Sequence, residues 1–305
     1  MNRLLKNAFT LIELLVVIAI IGILSGLIVV TMSGVTGKAN IAKSQVFSNS
    51  LKNALMLNLV SEWKLDGNVS DLWGGSNGTL IGGSYSSNNC IYGSCVSLDG
   101  DGDYIDLGSG SRINDVFNDG QSFTYSLWFY PTSLPATGNW HWLICKAYTS
   151  HVSPFYQTDT IIRPAGYLAT RVFNNAGSAS YVTGTSSASG SVSANSWYFL
   201  TVSVNLSAKT NKMYLNGVLI DSKTGSSGTY SNYVTSLTIG ANKNLYTSNI
   251  YNFTGQMDEV RLYSSEIPSS FVKEQYYAGL NSLLSGGSIS KEEYNQRINQ
   301  LSINN

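Results

Sequence analysis

Apolar and polar positions divide the chain into two unequal parts. From Phe9 to Val30 the sequence FTLIELLVVIAIIGILSGLIVV is apolar almost throughout, with Glu13 as its one ionisable side chain. This run is long enough to cross a bilayer, which takes about 20 residues as a helix. Helix is also the state that satisfies every backbone group in hydrocarbon. Arg3 and Lys6 precede the run, and Lys38 and Lys43 follow it. That arrangement keeps a short basic leader in the cytoplasm and sends the larger part outward. The run is too long for a cleaved signal peptide, and no A-x-A site follows it. Val35, Ala39, Ala42, Val46, Leu51, Leu55 and Leu59 then form a loose stripe at helical spacing. A helix from Phe9 to Leu59 would be about 75 Å long, with weak points at Gly22, Gly26, Gly34 and Gly37.

After Trp63 the period changes. Short alternating runs appear between clusters of Gly, Asn, Ser and Asp. They predict strands at Val96–Leu98, Tyr104–Leu107, Phe123–Tyr130, Leu143–Ala147, Gly166–Phe173, Trp197–Asn205, Lys212–Leu215, Val218–Ser222, Ser236–Gly240 and Gly255–Tyr263. Many short strands at such spacing imply an antiparallel sandwich or barrel. Asn216-Gly217, between MYL and VLI, is a tight-hairpin signal, because a primed turn needs positive φ at both positions. The Ser/Gly-rich stretches at 184–194 and 224–231 read as loops. Near the end, Ser290 and Glu293 have capping-box spacing, which predicts a final helix over about 291–301.

Composition narrows the function. Charged residues make up 12% of the 305 and the formal net charge is zero. No basic excess exists to neutralise phosphates, so nucleic acid is excluded as a partner. Of the three cysteines, Cys90 and Cys95 flank a short loop. In an extracytoplasmic chain such a pair forms a disulfide, stabilising by about 2 kcal/mol. With only two histidines, His141 and His151, a zinc set is the weaker reading. Cys145 reads as a buried apolar residue.

Asp99, Asp101, Asp103 and Asp106 invite calcium, a hard cation that prefers oxygen ligands. The EF-hand pattern fails, however, since Tyr104 stands where glycine is needed and Gly110 where glutamate is needed. A turn stabilised by Asp side chains is the alternative. For catalysis the chain offers little. Gly74-Gly75-Ser76-Asn77-Gly78 matches G-x-S-x-G but lies in a turn cluster with no helix behind it. Neither histidine has an acid placed to complete a triad. The expectation is a protein that is not an enzyme.

KNAFTLIELLVVIAIIGILSGL resembles the N-terminus of type IV prepilins and secretion-system pseudopilins. The resemblance implies cleavage between Ala8 and Phe9 by a prepilin peptidase, followed by methylation of the new terminus. Ala8 replaces the usual glycine; both are small. It further implies that Glu13, four residues after the new amine, serves assembly with other pilin subunits. A carboxylate at that depth costs about 2.5–3.5 kcal/mol on insertion, and an incoming α-amino group would offset that cost.

The order EWKLDG, GTLIGG, CVSLDGDGDYIDLG, QSFTYSLWFYP, WYFLTVSVN, KMYLNGVLID, LTIGANK and GQMDEVRLYSSEIPSSFVKEQYYAG is similar to that of concanavalin A-like (LamG-type) jelly rolls. This resemblance implies two antiparallel sheets and a ligand site on one face or on the rim loops. From glucanases of that class it also implies a structural calcium ion, with Asp258 as side-chain ligand and Gly100 as a carbonyl ligand. Backbone amides accepted by Asp258 are the alternative. The paired E-x-D-x-x-E glutamates of the glucanases are absent, leaving Glu62, Glu259, Glu266 and Glu274 in the strand region. Trp63, Trp73, Trp128 and Trp197 read as core rather than sugar platforms.

The expected organisation is therefore a leader (1–8), a transmembrane and assembly helix (9–60), a β-sandwich (61–280) and a helical tail (281–305). The function expected is that of a minor pilin-like subunit, anchored in the inner membrane and then carried in a filament outside the cell. Its sandwich would recognise glycan or a surface protein. The alternative is a secretion pseudopilin whose head contacts only other subunits.

Overall fold

Strand alternation after residue 58 produces two facing sheets, because each run buries every second side chain and must find a second layer to bury it against. The structure, a computed structural model, describes residues 58–147, 156–173, 181–225, 230, 233–242 and 251–303, with five isolated positions before residue 57. The chain divides into two units, Met1–Leu57 and Asn58–Asn305. The expected long helix, the Ala8/Phe9 junction and Glu13 lie outside the described residues.

The strands are β1 (Leu59–Trp63), β2 (Thr79–Ile81), β3 (Ser84–Ser86), β4 (Cys95–Asp99), β5 (Tyr104–Asp106), β6 (Ser122–Pro131), β7 (His141–Ala147) and β8 (Tyr156–Arg163). They continue as β9 (Tyr167–Phe173), β10 (Tyr181–Ser186), β11 (Tyr198–Asn205), β12 (Thr210–Leu215), β13 (Val218–Thr224), β14 (Leu237–Ile239) and β15 (Thr254–Tyr263). One sheet has eight strands in the order β13-β12-β11-β6-β15-β4-β3, with β1 also paired to β15; the other has seven, in the order β10-β9-β8-β7-β14-β5-β2. All described pairings are antiparallel. An antiparallel β-sandwich is thus the observed fold class. The departures concern boundaries and short strands. Leu59, the last apolar position of the helical stripe, opens β1 instead. Strands β2, β3, β8 and β10 were not among the expected ones, and residues 184–186, expected in a loop, end β10 because they pair with β9.

The core lies between the sheets. From β6 come Phe123, Tyr125, Leu127 and Phe129; facing them stand Ile144, Ile162, Leu168 and Val172 from the seven-stranded sheet. Tyr125 Oη lies 2.6 Å from Thr160 Oγ1, which meets Thr170 Oγ1 at 2.7 Å, so a short polar chain crosses an otherwise apolar layer with its hydroxyls paired.

Three helices complete the unit: α1 (Ser111–Asp115), α2 (Ser269–Ser285) and α3 (Lys291–Ile303). Helix α2 buries Val272, Tyr276, Gly279, Leu280 and Leu283, an i, i+4, i+7, i+8, i+11 face. That face covers the outward side of the eight-stranded sheet, where Trp128 stacks on Tyr276 at 5.5 Å between centroids. A Cβ on Gly279 would lie 2.4 Å from Trp128 Cζ2, so only glycine lets helix and indole approach this closely. Gly287, at φ +74°, ends the helix, and Ser290 Oγ accepts the Glu293 amide at 3.1 Å to start α3.

Candidate functional site on the outward face of the seven-stranded sheet

With one sheet covered by α2, the outward side of the other sheet is where chemistry gathers. Cross-strand pairing aligns one row across all seven strands: Thr79, Asp106, Thr238, Cys145, Asp159, Arg171 and Gly184. Directly paired residues share a face, and this face is opposite the one carrying Thr160, Ile162 and Val172. A second row runs Trp142, Ile161, Ala169, Ser186, and a third pairs Arg163 with Tyr167.

The middle of this face is an apolar strip of Trp142, Cys145, Ile161 and Ala169, all buried, with Trp140 and Tyr251 packed against it. Trp140 stands 4.6 Å from Tyr251 and 5.9 Å from Trp142 between ring centroids. Burial raises the Cys145 thiol well above its usual range, so it stays protonated and inert. Beside the strip, Asp159 is wholly buried and forms a two-pronged pair with Arg171, whose Nε donates to Oδ1 at 2.8 Å while Nη2 reaches Oδ2. The Arg171 guanidinium carbon also stands 5.4 Å from the Phe173 ring centroid.

Next to this pair the face opens into a cleft of about 410 Å³, lined by Arg163, Tyr167, Ala169, Arg171 and Ser186 among others. Arg163 ends β8 and Tyr167 begins β9, the two being joined by a tight connection with Ala165 and Gly166 at positive φ. Arg163 Nη1 donates to Tyr167 Oη at 3.2 Å, and its guanidinium carbon stands 5.6 Å from that ring's centroid. These residues were not singled out in the sequence. Strand β8, YQTDTIIR, shows no alternation of apolar and polar positions because its inward residues Thr158 and Thr160 are themselves polar. The available signal was charge: in a chain that is only 12% charged, Asp159, Arg163 and Arg171 fall within thirteen positions.

The expected site residues lie elsewhere. Cys90 and Cys95 are joined in a disulfide with Cα atoms 5.4 Å apart. The loop they close rests on Asp258, which is fully buried. Asp258 Oδ2 accepts the amides of Ile91 at 2.8 Å and Tyr92 at 3.3 Å, while Oδ1 accepts that of Glu259 at 2.9 Å. Burial first, and then the neighbouring Glu259, push its acid up to about 8 against the pull of those amides. Glu259 sits in a bulge at φ +52°, and Arg261 lies between Glu259 and Glu62.

Calcium does not fit the proposed Asp258–Gly100 set. Three N–H dipoles that would repel a cation fill the Asp258 carboxylate. The β15–β4 register sets Thr254 opposite Asp99, which leaves Gly100 roughly 15 Å or more from Asp258 at about 3.4 Å per residue. In the DGDGD turn, Asp103 Oδ2 accepts the Asp99 amide at 3.0 Å and Asp99 Oδ1 accepts the Asp101 amide at 2.7 Å. Gly100 and Gly102 take positive φ there. These side chains cap a turn, and among the described residues no group of three His, Cys, Asp or Glu is arranged to hold a metal ion.

Trp63, Trp128 and Trp197 are core residues, whereas Trp73 is 45% exposed, a correction to the expectation for it. Asp71 holds the Trp73 and Gly74 amides on Oδ1 and the Ser76 amide on Oδ2, and this turn carries the indole outward. His141 and Lys146 are buried on the inward side. Lys146 Nζ donates to Asn114 Oδ1, Tyr233 O and Thr235 O at 2.8, 2.9 and 3.1 Å, and burial brings its pKa down to about 7. It ties loops to β7 and does not face the cleft.

Residues 99–272 match the family described as the concanavalin A-like lectin/glucanases superfamily, and residues 3–29 match the prokaryotic N-terminal methylation motif. No curated protein matches the chain. Among solved structures, domain 4 of AbnA, a GH43 extracellular arabinanase from Geobacillus stearothermophilus, in complex with arabinotriose, is 20% identical with a TM-score of 0.52, covering 71% of this chain and 97% of that one. The binding domain of Paraclostridial mosquitocidal protein 1 is 18% identical with a TM-score of 0.58, covering 74% and 53%. The ligand-binding domain of botulinum neurotoxin serotype D in complex with N-acetylneuraminic acid is 16% identical with a TM-score of 0.56, covering 75% and 52%. The chain thus spans about half the length of the two toxin domains. At these identities the likeness establishes the fold.

Proposed function

Because the chain belongs to the concanavalin A-like lectin/glucanases superfamily and carries a prokaryotic N-terminal methylation motif, we propose that it is a minor type IV pilin-like subunit whose sandwich recognises a glycan. Prepilin peptidase would cut between Ala8 and Phe9 and the new terminus would be methylated. Glu13 would then pair with the α-amino group of a neighbouring subunit as the helix leaves the inner membrane for the filament. The sandwich would be carried outward as a non-catalytic binding head.

The observation that carries this reading is the joining, in one chain, of that motif to a lectin-type sandwich with an accessible polar cleft on the face that α2 leaves uncovered. Two of the structural relatives are named with saccharides, arabinotriose and N-acetylneuraminic acid, and the relatives described as binding domains agree with a head that is not an enzyme.

Two measurements on the full-length chain, extracted in detergent from cells with an active prepilin peptidase, test it. Intact mass should correspond to a protein beginning at Phe9 with one added methyl group, and retention of residues 1–8 overturns the pilin reading. On a glycan array the same protein should bind saturably. A blank array removes the recognition role and leaves a pseudopilin whose head contacts other subunits.

A further inference from the structure

We propose that the cleft between β8, β9 and β10 takes the carboxylate of an acidic saccharide, with Arg163 as the anion-binding side chain. The inference rests on the reading of the sandwich as a glycan-binding head and supplies the class of glycan.

The charges around the cleft do not balance. Arg171 is neutralised by the buried Asp159. Asp221, whose Oδ2 accepts the Ser186 amide at 2.8 Å, lies 3.4 Å from Lys223 Nζ. Arg163 has no carboxylate within ion-pair distance among the described residues, so the cleft carries one uncompensated cation. Its Nη1 is engaged by Tyr167, but its Nε is buried and has no hydrogen-bond partner. A buried donor left unpaired is unfavourable, and the planar guanidinium fork suits a two-pronged carboxylate better than any other common group. The side chain as a whole is only half-buried, so a carboxylate in the cleft would meet its terminal nitrogens and supply the missing charge.

The surroundings favour a sugar as its carrier. Ala169 gives a flat floor, Gly184 on the adjoining strand carries no side chain, and the Tyr167 and Ser186 hydroxyls can serve ring hydroxyls. An extended acidic peptide would instead add to the β10 edge. There the Ser186 amide is already held by Asp221.

Titration calorimetry on the full-length protein in detergent would use tetragalacturonate, sialyllactose and the carboxyl-reduced counterpart of each. At least one acid should bind ten-fold or more tightly than its reduced form. Arg163→Gln should erase that preference at an unchanged melting temperature, since Arg163 makes no buried ion pair. Added salt should weaken the acid and leave the reduced sugar alone. Equal affinity for acid and reduced forms, failure of both acids to bind, a preference retained in R163Q, or tighter binding of a polyglutamate peptide than of either acid each overturns the proposal. If neutral glycans still bind on the array, the recognition role survives without this cleft; a blank array removes both.

Discussion

The carboxylate of Asp258 receives the backbone amide of Ile91 at 2.8 Å, joining positions 167 residues apart. Through this bond and its neighbours, strand β15 organises the disulfide loop, and Ser282 of α2 closes over the same loop by donating to Ile91 O. Replacing Asp258 with alanine leaves three amides without an acceptor, one of them the buried Ile91 N–H. At about 1–3 kcal/mol for each unsatisfied buried group, D258A should lose roughly 3 kcal/mol in urea denaturation. The Ile91 and Tyr92 amides should exchange hydrogen faster than their neighbours. Unchanged exchange at those two sites would show that the loop holds itself.

The Cys90–Cys95 bridge closes a loop so short that its entropic contribution is about 2 kcal/mol. Replacing both cysteines with serine should cost that amount. Since Asp258 binds inside the same loop, combining the serine pair with D258A should cost less than the sum, by about 1 kcal/mol in a double-mutant cycle. Strict additivity would mean that covalent and hydrogen-bonded restraints act on separate parts of the fold.

Gly279→Ala tests two opposed effects. Helix propensity alone favours alanine by about 1 kcal/mol. The new methyl would stand 2.4 Å and 2.7 Å from Trp128 Cζ2 and Cε2, atoms of a rigid and fully buried ring. Overpacking of this kind costs about 1–3 kcal/mol, so the melting temperature should fall. A rise would show that α2 can slide on the sheet.

His141 sets a pH dependence. Burial against Phe253 lowers its pKa from 6.5 to about 4. Between those values the unfolded chain binds more protons than the folded one, so stability declines as pH drops through that window. At about 1.4 kcal/mol per unit the full effect approaches roughly 3 kcal/mol near pH 4. His141→Gln should flatten the urea-midpoint profile between pH 6.5 and 4 while leaving its alkaline side unchanged; a profile as steep as before would place the titration elsewhere.

Most of the sandwich could be read from the chain, because its signals are local. Asn216 and Gly217 take φ of +52° and +80°, as the tight hairpin demands, and Asn216 Oδ1 also accepts the Phe199 amide at 2.9 Å. The elements that went unseen depend on distant partners. Thr158 and Thr160 make β8 look like a loop until Tyr125 arrives from the facing sheet to pair with the Thr160 hydroxyl. Leu59 continues a helical stripe, and only its pairing with Tyr263 makes it a strand residue. Helix α2 was hidden in a phrase read as one block with β15, although Val272, Tyr276, Leu280 and Leu283 carry its period. The cleft was invisible for a similar reason: Arg163 and Arg171 gain meaning from the sheet that brings both to the lining of one cleft.

Since β1 is the first strand after residue 58, any pull on the chain at that residue enters the sandwich there. That strand is pinned sideways by β15 from Leu59 to Trp63, by Asp71 on the Glu62 amide, and by the Trp63 indole on Ser76 O. Among the described strands β1 pairs with β15 alone, so a pull at residue 58 would load one row of antiparallel hydrogen bonds lying beside the long central strand, with the Asp71 and Ser76 contacts as the second restraint.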